Sequence, residues 1–530
     1  MDEYKTGKER TMGITGDVLG GVLEVATPVL TGILKAIDLK PIIGLVNEFP
    51  AIAKLLGLNI DPDAIGLPIL LKNEKLMAAA ANLIEENSEP LAKALQCLSR
   101  PIFTDVIKGN LDIFSALLGG EVYPDMIGKF TGIAGITNEF SCPHIVHGKG
   151  ALERSMKFLS GTGRRSLIVT DKDMVKFGHA ETVREMLEYI GYEVEIFDEV
   201  EPDPSIPTIE KGGEVAREFK PDWLIGLGGG SCLDAAKAVW IKYVHPDISL
   251  GSIDPFSRYN LREKAHYMAI PTTSGTGAES TWAIVLTDPV LGRKWGIACR
   301  ESIADVAVID PRFPMSMPKK LTAGSGLDVL AHSFGGYVSR WRNDFSEGLC
   351  IQGIRMGIEY LPKAYKNPDD MEAREKMHNA ATVAGLGFGN SQATLEHSIG
   401  HAVGAVHHLH HGLAVGIALP YTIQFYANAR EKETRELYAK LARILGIEFK
   451  DEEDAVDKIV GKLRSLMDEI EAPKSYGETG IKEEDWKRGR ENIIEFAYYD
   501  PCFYVTPRIP SKDELARIVD CCWEGRDVTF

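Results

Sequence analysis

The apolar positions of this chain change their spacing twice. Over residues 1 to 138 they form short helical patches punctuated by prolines. Pro50 in NEFPAIAKLL and Pro90 in NSEPLAKALQ stand where a helix would begin, with Asn47 and Ser88 upstream as caps. From Cys142 the texture changes. PHIVH, RSLIVT, EVEIF, DWLIGLG, HYMAIPTT and AIVLTD read as strands, and HAETVREMLEYIG and IEKGGEVAREF, between the earlier ones, read as helices. Such alternation predicts parallel strands joined by crossover helices, the doubly wound α/β architecture. The stretch ADVAVIDPRFPMSMP, with three prolines, marks a boundary, and helical spacing then runs to the C-terminus. The expected organisation is an α-helical extension over 1–138, an α/β domain over 139–313 and an all-α domain over 314–530.

At 530 residues the chain is too long for one ordinary core, and 44% hydrophobic with 25% charged residues is a globular composition. A formal net charge of -17 argues against nonspecific binding of nucleic acid or anionic membrane. The eight cysteines form no CxxC pair and no dense framework, which fits a reducing, cytoplasmic setting. MDEYKTGKERTMG lacks the layout of a secretory signal. The apolar stretch VLGGVLEVATPVLTGILKAIDL is interrupted by Glu24, Pro28 and Lys35, so no integral membrane segment is expected.

The candidate chemistry lies in two segments of the last region. In GSGLDVLAHSF, Asp328 and His332 are four apart; in TLEHSIGHAVGAVHHLHHG, so are His397 and His401. Each pair projects from one helical face. Together with His411 they read as one oxygen- and nitrogen-ligand site for a divalent ion such as Fe(II) or Zn(II). One buried histidine alone would read as a hydrogen-bonded core residue, and HHLHH alone as a solvated loop. Two such pairs among small and apolar neighbours favour a shared cation, which satisfies several buried ionisable groups at once.

A second set of residues points to a nucleotide. DWLIGLGGGSCLDAAKAVW is a strand, a turn (Gly228, Gly229, Gly230, Ser231) and a helix, so backbone N–H groups and the helix N-terminus can meet a diphosphate. It departs from the G-x-G-x-x-G fingerprint, because no acidic residue follows about twenty positions on. An acid precedes it instead: Asp171 ends the strand SLIVT, where it can accept from ribose hydroxyls and repel a 2'-phosphate, favouring NAD over NADP, while also capping a helix. PTTSGTGAEST adds Thr272, Thr273, Ser274 and Thr276 as hydroxyl donors. The turn GKG at 148–150 has Glu153 where a third glycine would stand, and is assigned to packing.

In this order LIVTDK, GGGSCLDAAK, PTTSGTGAE, GSGLDVLAHSF and EHSIGHAVGAVHHLHHG resemble the iron-containing, metal-dependent alcohol dehydrogenases, from about residue 142 to the end. The resemblance implies that 139–313 binds the dinucleotide and 314–530 the metal. It implies that Asp328, His332, His397 and His411 ligate Fe(2+), with Zn(2+) the alternative, and that His401 lies near the substrate as the candidate proton relay. It likewise places Gly229, Gly230, Ser231 and Asp234 at the cofactor diphosphate, Asp171, Thr272, Thr273 and Thr276 along the rest of the dinucleotide, and Lys294 at the nicotinamide-side ribose. The implied reaction is hydride transfer between nicotinamide C4 and a small alcohol or aldehyde held at the metal. A homo-oligomer is expected, and the helical block 1–138, about which the resemblance says nothing, reads as a packing or assembly module. Two alternatives stay open: a glycerol-dehydrogenase-like zinc enzyme, and an assembly or scaffold component of a multienzyme complex. The chain departs from the family in having Thr506 where asparagine is common and in its first 138 residues, which short members lack. His407, His408 and His410 also crowd the loop before His411, where one of them would alter substrate access.

Overall fold

The computed structural model describes residues 139–253, 258–289, 293–428 and 432–530. The extension expected over 1–138 lies outside the described residues. In chain order the α/β part comprises β1 (His144–His147), α1 (Ala151–Leu159), β2 (Arg165–Val169), α2 (Lys172–Lys176), α3 (His179–Tyr189), β3 (Glu193–Phe197) and α4 (Ile206–Phe219). It continues with β4 (Trp223–Gly228), α5 (Gly230–Val244), β5 (His266–Pro271), β6 (Ala283–Asp288), β7 (Arg293–Ala298) and β8 (Val306–Ile309).

Six of these strands form one sheet in the order β1-β8-β5-β4-β2-β3, with every neighbouring pair parallel. Both faces are covered, which explains why the inner strands β2, β4, β5 and β8 read as nearly unbroken apolar runs, while the edge strands β1 and β3 keep exposed polar positions. Leu167, Val169, Leu224, Tyr267 and Ala269 pack with α4 and α5 on one face. Their neighbours Ile168, Ile225, Met268 and Ile270 pack with α1 and α3 on the other. After β3 the chain returns to place β4 on the opposite side of β2. The strand order therefore reverses between β2 and β4, the place where doubly wound sheets form a ligand crevice beyond the carboxyl ends of their strands.

The run AIVLTD is a strand, as its pattern predicts, but it stands outside the main sheet as β6, paired antiparallel with β7. β7 and β8 have no counterpart among the expected strands. RKWGIA is too charged at its start to read as a buried run, and VAVI is only four residues long and sits against the prolines.

From Lys319 onward the structure is helical: α6 (Lys319–Val338), α7 (Asp344–Lys366), α8 (Met371–Phe388), α9 (Leu395–His407), α10 (His411–Ala427), α11 (Glu433–Ile444), α12 (Glu452–Glu469), α13 (Glu483–Tyr498) and α14 (Lys512–Glu524). Asn343 and Ser511 start α7 and α14 with capping boxes. α6 is buried at every position from Thr322 to Val338, as expected of a helix apolar all round. Among the described residues no helix is long and apolar enough to cross a membrane.

The turn after β5 joins the two parts. An added Cβ at Gly275 would lie 2.8 Å from Ser325 Cβ of α6, and one at Gly277 would lie 2.7 Å from both Ala381 O and Gly385 Cα of α8. Gly277 also has φ +63, so both space and conformation call for glycine there. Beside it, the Ser274 hydroxyl and His378 Nδ1 share a hydrogen bond of 3.1 Å.

Burial holds the His378 imidazole down to about 4, against an ordinary value of 6.5. Between these values the unfolded chain binds a proton that the folded chain refuses. Stability should therefore be complete above about pH 6.5 and decline as pH falls toward about 4, this one group accounting for up to about 3 kcal/mol. His378→Gln should flatten the acid decline in the denaturation midpoint measured over that window. An unchanged decline would assign the acid sensitivity to other groups.

Candidate functional site

Four side chains from three helices meet around one point. Asp328 and His332 come from successive turns of α6, His397 from the first turn of α9, and His411 from the first position of α10. Their candidate ligand atoms all lie within 4.8 Å of one another. From Asp328 Oδ1 the distances are 3.4 Å to His411 Nε2, 3.5 Å to His332 Nδ1 and 3.8 Å to His397 Nε2. Asp328 Oδ1, His332 Nδ1 and His397 Nε2 are buried and lack a hydrogen-bond partner. Ligands about 2.1 Å from a tetrahedral ion stand about 3.4 Å apart, so the cluster has the dimensions of a coordination shell. The donor set, one carboxylate and three imidazoles, suits a divalent iron or zinc ion.

The packing around these rings is specific. His332 stacks on Phe388 with ring centroids 3.8 Å apart. The site opens toward His411, whose side chain keeps 30% of its surface.

Titration behaviour follows from the enclosure. Desolvation drives His332 well below its ordinary value, and His411 down to about 4, more strongly than Asp328 pulls them up. Burial alone would raise the Asp328 carboxyl, but the surrounding imidazoles of His332, His411 and His397 hold it well below the usual carboxylate range. Ionised carboxylate and neutral imidazole are the forms that ligate a metal. His397 is the exception: burial opposes its protonation, yet Asp328 and Glu396 outweigh it and hold the ring up to about 9.

His401 sits one turn beyond His397 and stacks on His411 at 5.1 Å. Its Nδ1 is 2.8 Å from Asp500 Oδ2, while Asp500 Oδ1 accepts from the Cys502 amide at 2.8 Å and from the Ser398 hydroxyl at 3.3 Å. The other histidines of HHLHH disperse. His407 stacks on Trp486, and His410 packs against Gly324 of α6, beside the ligand set.

The glycine turn lies at the reversal of strand order. Asp171 Oδ1 caps α2 by accepting from Met174 N at 2.9 Å, and its Oδ2 accepts from the Cys232 thiol at 3.2 Å. The carboxylate thus stands beside the turn that ends β4. An added Cβ would lie 3.3 Å from Thr273 Cγ2 at Gly229 and 2.8 Å from Thr276 Cγ2 at Gly230, so bare backbone N–H groups line that wall. The Thr272 amide donates to Gly228 O at 2.9 Å, closing the second turn onto the first. Ser231 Oγ accepts from the Asp203 amide at 3.3 Å, and Lys294 Nζ is 2.7 Å from Asp203 Oδ1.

Asp234 has other partners. Its Oδ1 takes Lys237 Nζ at 3.3 Å and its Oδ2 the Val285 amide at 2.9 Å, so it anchors α5 to β6. A carboxylate would in any case repel a diphosphate. Thr506, in place of the expected asparagine, is buried with its hydroxyl within reach of Phe503 O and Arg508 O.

Sequence reasoning missed Glu396, Asp500 and Asp203. Glu396 directly precedes His397 and is the one with a local signal. Asp203 follows β3 at the same end of the sheet as Asp171, which only the strand order reveals.

The pattern of the "Iron-containing alcohol dehydrogenase" family matches residues 142–311, and that of the "Fe-containing alcohol dehydrogenase family, C-terminal" matches 322–523. The chain is 40% identical over 393 residues to an NADPH-dependent butanol dehydrogenase of Clostridium saccharobutylicum, a match spanning 74% of this chain and 99% of that one. It is 36% identical over 390 residues to the bifunctional aldehyde-alcohol dehydrogenase AdhE of Escherichia coli (strain K12), a match that takes in 69% of this chain but only 43% of that protein. Among solved structures, an iron-containing alcohol dehydrogenase from Thermococcus thioreducens superposes with a TM-score of 0.67 at 31% identity, covering 73% of this chain and 99% of the other. A 1,3-propanediol oxidoreductase gives a TM-score of 0.67 at 28% identity with the same coverage. The chain belongs to the iron-containing alcohol dehydrogenase family.

Proposed function

We propose that this chain interconverts a small alcohol and its aldehyde, using NAD in the crevice between β2 and β4 and Fe(2+) at Asp328, His332, His397 and His411. The observation that carries this reading is the convergence of those four ligand atoms within 4.8 Å, two of them on α6, which packs against the turn after β5. A divalent ion bound there would polarise the substrate oxygen, and hydride transfer is the nicotinamide's own chemistry.

The protein's part is to position and to move one proton. Asp500 takes up Nδ1 of His401, which leaves Nε2 as the atom that exchanges the hydroxyl proton. His401 is partly exposed, so that proton has a path to water. The preference for NAD rests on Asp171, whose carboxylate is locked beside the glycine turn and would repel a 2'-phosphate. Gly229, Gly230 and Ser231 present the diphosphate wall, with Thr272, Thr273 and Thr276 opposite; Lys294 reaches the same crevice through Asp203.

In the same reading 139–313 is the dinucleotide-binding domain, 314–530 the catalytic metal-binding domain and 1–138 an assembly segment of a cytoplasmic homo-oligomer. Free thiols at the seven described cysteines support the cytoplasmic assignment.

Protein purified without air should contain iron rather than zinc by elemental analysis. Asp328→Ala and His397→Ala should lose that metal and lower turnover on the order of 100-fold or more, with NAD affinity in titration kept; metal-free variants with wild-type turnover would refute the reading. Because His397 must surrender a proton held up to about 9, metal affinity should climb with pH toward that value and weaken as pH drops. A pH-independent affinity would mean that His397 is not a ligand. Asp171→Gly should raise the NADP-over-NAD ratio of kcat/KM by about 10- to 100-fold, the worth of one hydrogen-bonded charge. An unmoved ratio would take cofactor choice away from Asp171. Removing residues 1–138 should reduce the assembly size seen by light scattering while turnover persists; an unchanged size would assign assembly to the remainder of the chain.

A further inference from the structure

The four ligands leave one electrostatic sum unfinished. A divalent cation held by three neutral imidazoles and the single carboxylate of Asp328 carries a net positive charge, in a place where Asp328, His332 and His397 are each at most 4% exposed. Burying an uncompensated charge is costly, and the protein needs a second anion nearby.

Glu396 supplies one. Its side chain is fully buried, and among the described residues its ion-pair partner is His397, with no lysine or arginine beside it. Oε1 accepts from His397 Nδ1 at 3.0 Å and from the Thr394 amide at 3.0 Å, and Oε2 accepts from the Thr394 hydroxyl at 2.6 Å. A backbone amide can only donate, so Oε1 is an acceptor and the Nδ1 of His397 carries the hydrogen toward it. When His397 gives up its other proton, it is therefore Nε2 that presents a lone pair toward Asp328.

Two features hold the carboxylate in place. Glu396 lies in the first turn of α9, where the helix dipole favours a negative charge. It also rests on Gly335 of α6, where an added Cβ would clash with Oε1, so α6 brings both Asp328 and the seat for Glu396.

We propose that Glu396 is a positioning residue of the metal centre: it fixes the tautomer of His397 and furnishes the second negative charge that neutralises the bound divalent ion. This rests on the metal reading above and adds a residue that ligates nothing itself. Carboxylates behind ligating histidines commonly act this way, and their loss weakens metal affinity about 10- to 100-fold.

Glu396→Gln separates charge from shape. The amide oxygen can still accept from His397 and Thr394, and the amide nitrogen can donate to the Thr394 hydroxyl, so the hydrogen bonds persist and only the charge is removed. Glu396→Asp keeps the charge but draws it back from the ring. The test is Zn2+ affinity of the full chain at neutral pH, by competition with a chromophoric chelator, alongside the thermal midpoint of the metal-free protein. We expect about tenfold weaker Zn2+ binding in Glu396→Gln, and a smaller loss in Glu396→Asp, with metal-free midpoints near wild type. Zn2+ affinity unchanged in whichever of the two variants folds would overturn the proposal. His397→Ala in the same assay keeps the two readings apart: if it binds Zn2+ like wild type, the metal site itself is wrong, whereas its loss together with unaffected Glu396 variants removes only the role of Glu396.

Discussion

Asp328 is a carboxylate in the middle of a helix buried at every position from Thr322 to Val338, and the arrangement of the helical half can be read as the consequence of placing it there. An isolated anion at that depth would cost several kcal/mol. Three imidazoles, one from its own helix and two from the starts of α9 and α10, surround it at 3.4 to 3.8 Å. These separations are long for hydrogen bonds and apt for ligands sharing an ion. In the proposed reading a shared cation satisfies these groups together, so metal binding adds to the stability of the folded helical half.

The proposed chemistry also requires that this cluster stand next to the nucleotide, and glycine backbone makes close contacts between the elements concerned. Gly275 and Gly277 lie directly on α6 and α8, and Gly412 of α10 sits against Gly324 O of α6, where an added Cβ would be only 2.3 Å away. The two halves of the site thus approach at main-chain distance. Side chains of any size at these positions would separate the crevice from the ligands. A misplacement of about 1 Å between reacting groups is enough to lower rates substantially.

Histidines one turn apart acquire different work from the acids behind them. Glu396 turns His397 so that its free nitrogen faces Asp328, while Asp500, brought from the end of α13, takes up Nδ1 of His401 on the more open side. Each ring nitrogen that faces the site is defined by the hydrogen bond made by the other. Asp171 beside the glycine turn is fixed in the same way, with one oxygen taken by the Met174 amide and the other by the Cys232 thiol.

Periodicity alone disclosed the sheet strands β1 to β5, the turn to all-helical structure after the prolines and the two i,i+4 pairs, because those depend on how each residue meets neighbours within a few positions. It also drew attention to Asp328, His332, His397 and His401, with His411 nearby, since polar groups at helical spacing stand out against apolar surroundings; the division into four ligands and a separate His401 came from the family resemblance. What the tertiary structure decided is everything carried by distant partners. The pairing of β6 with β7 outside the sheet, the withdrawal of Asp234 to Lys237 and Val285, and the meeting of His401 with Asp500 across 99 positions leave no local trace. Even Glu396, adjacent to a ligand, gains its meaning only from Gly335 on another helix. Local pattern specifies which face a side chain occupies; which group waits opposite that face is set by the packing of elements far apart in the chain.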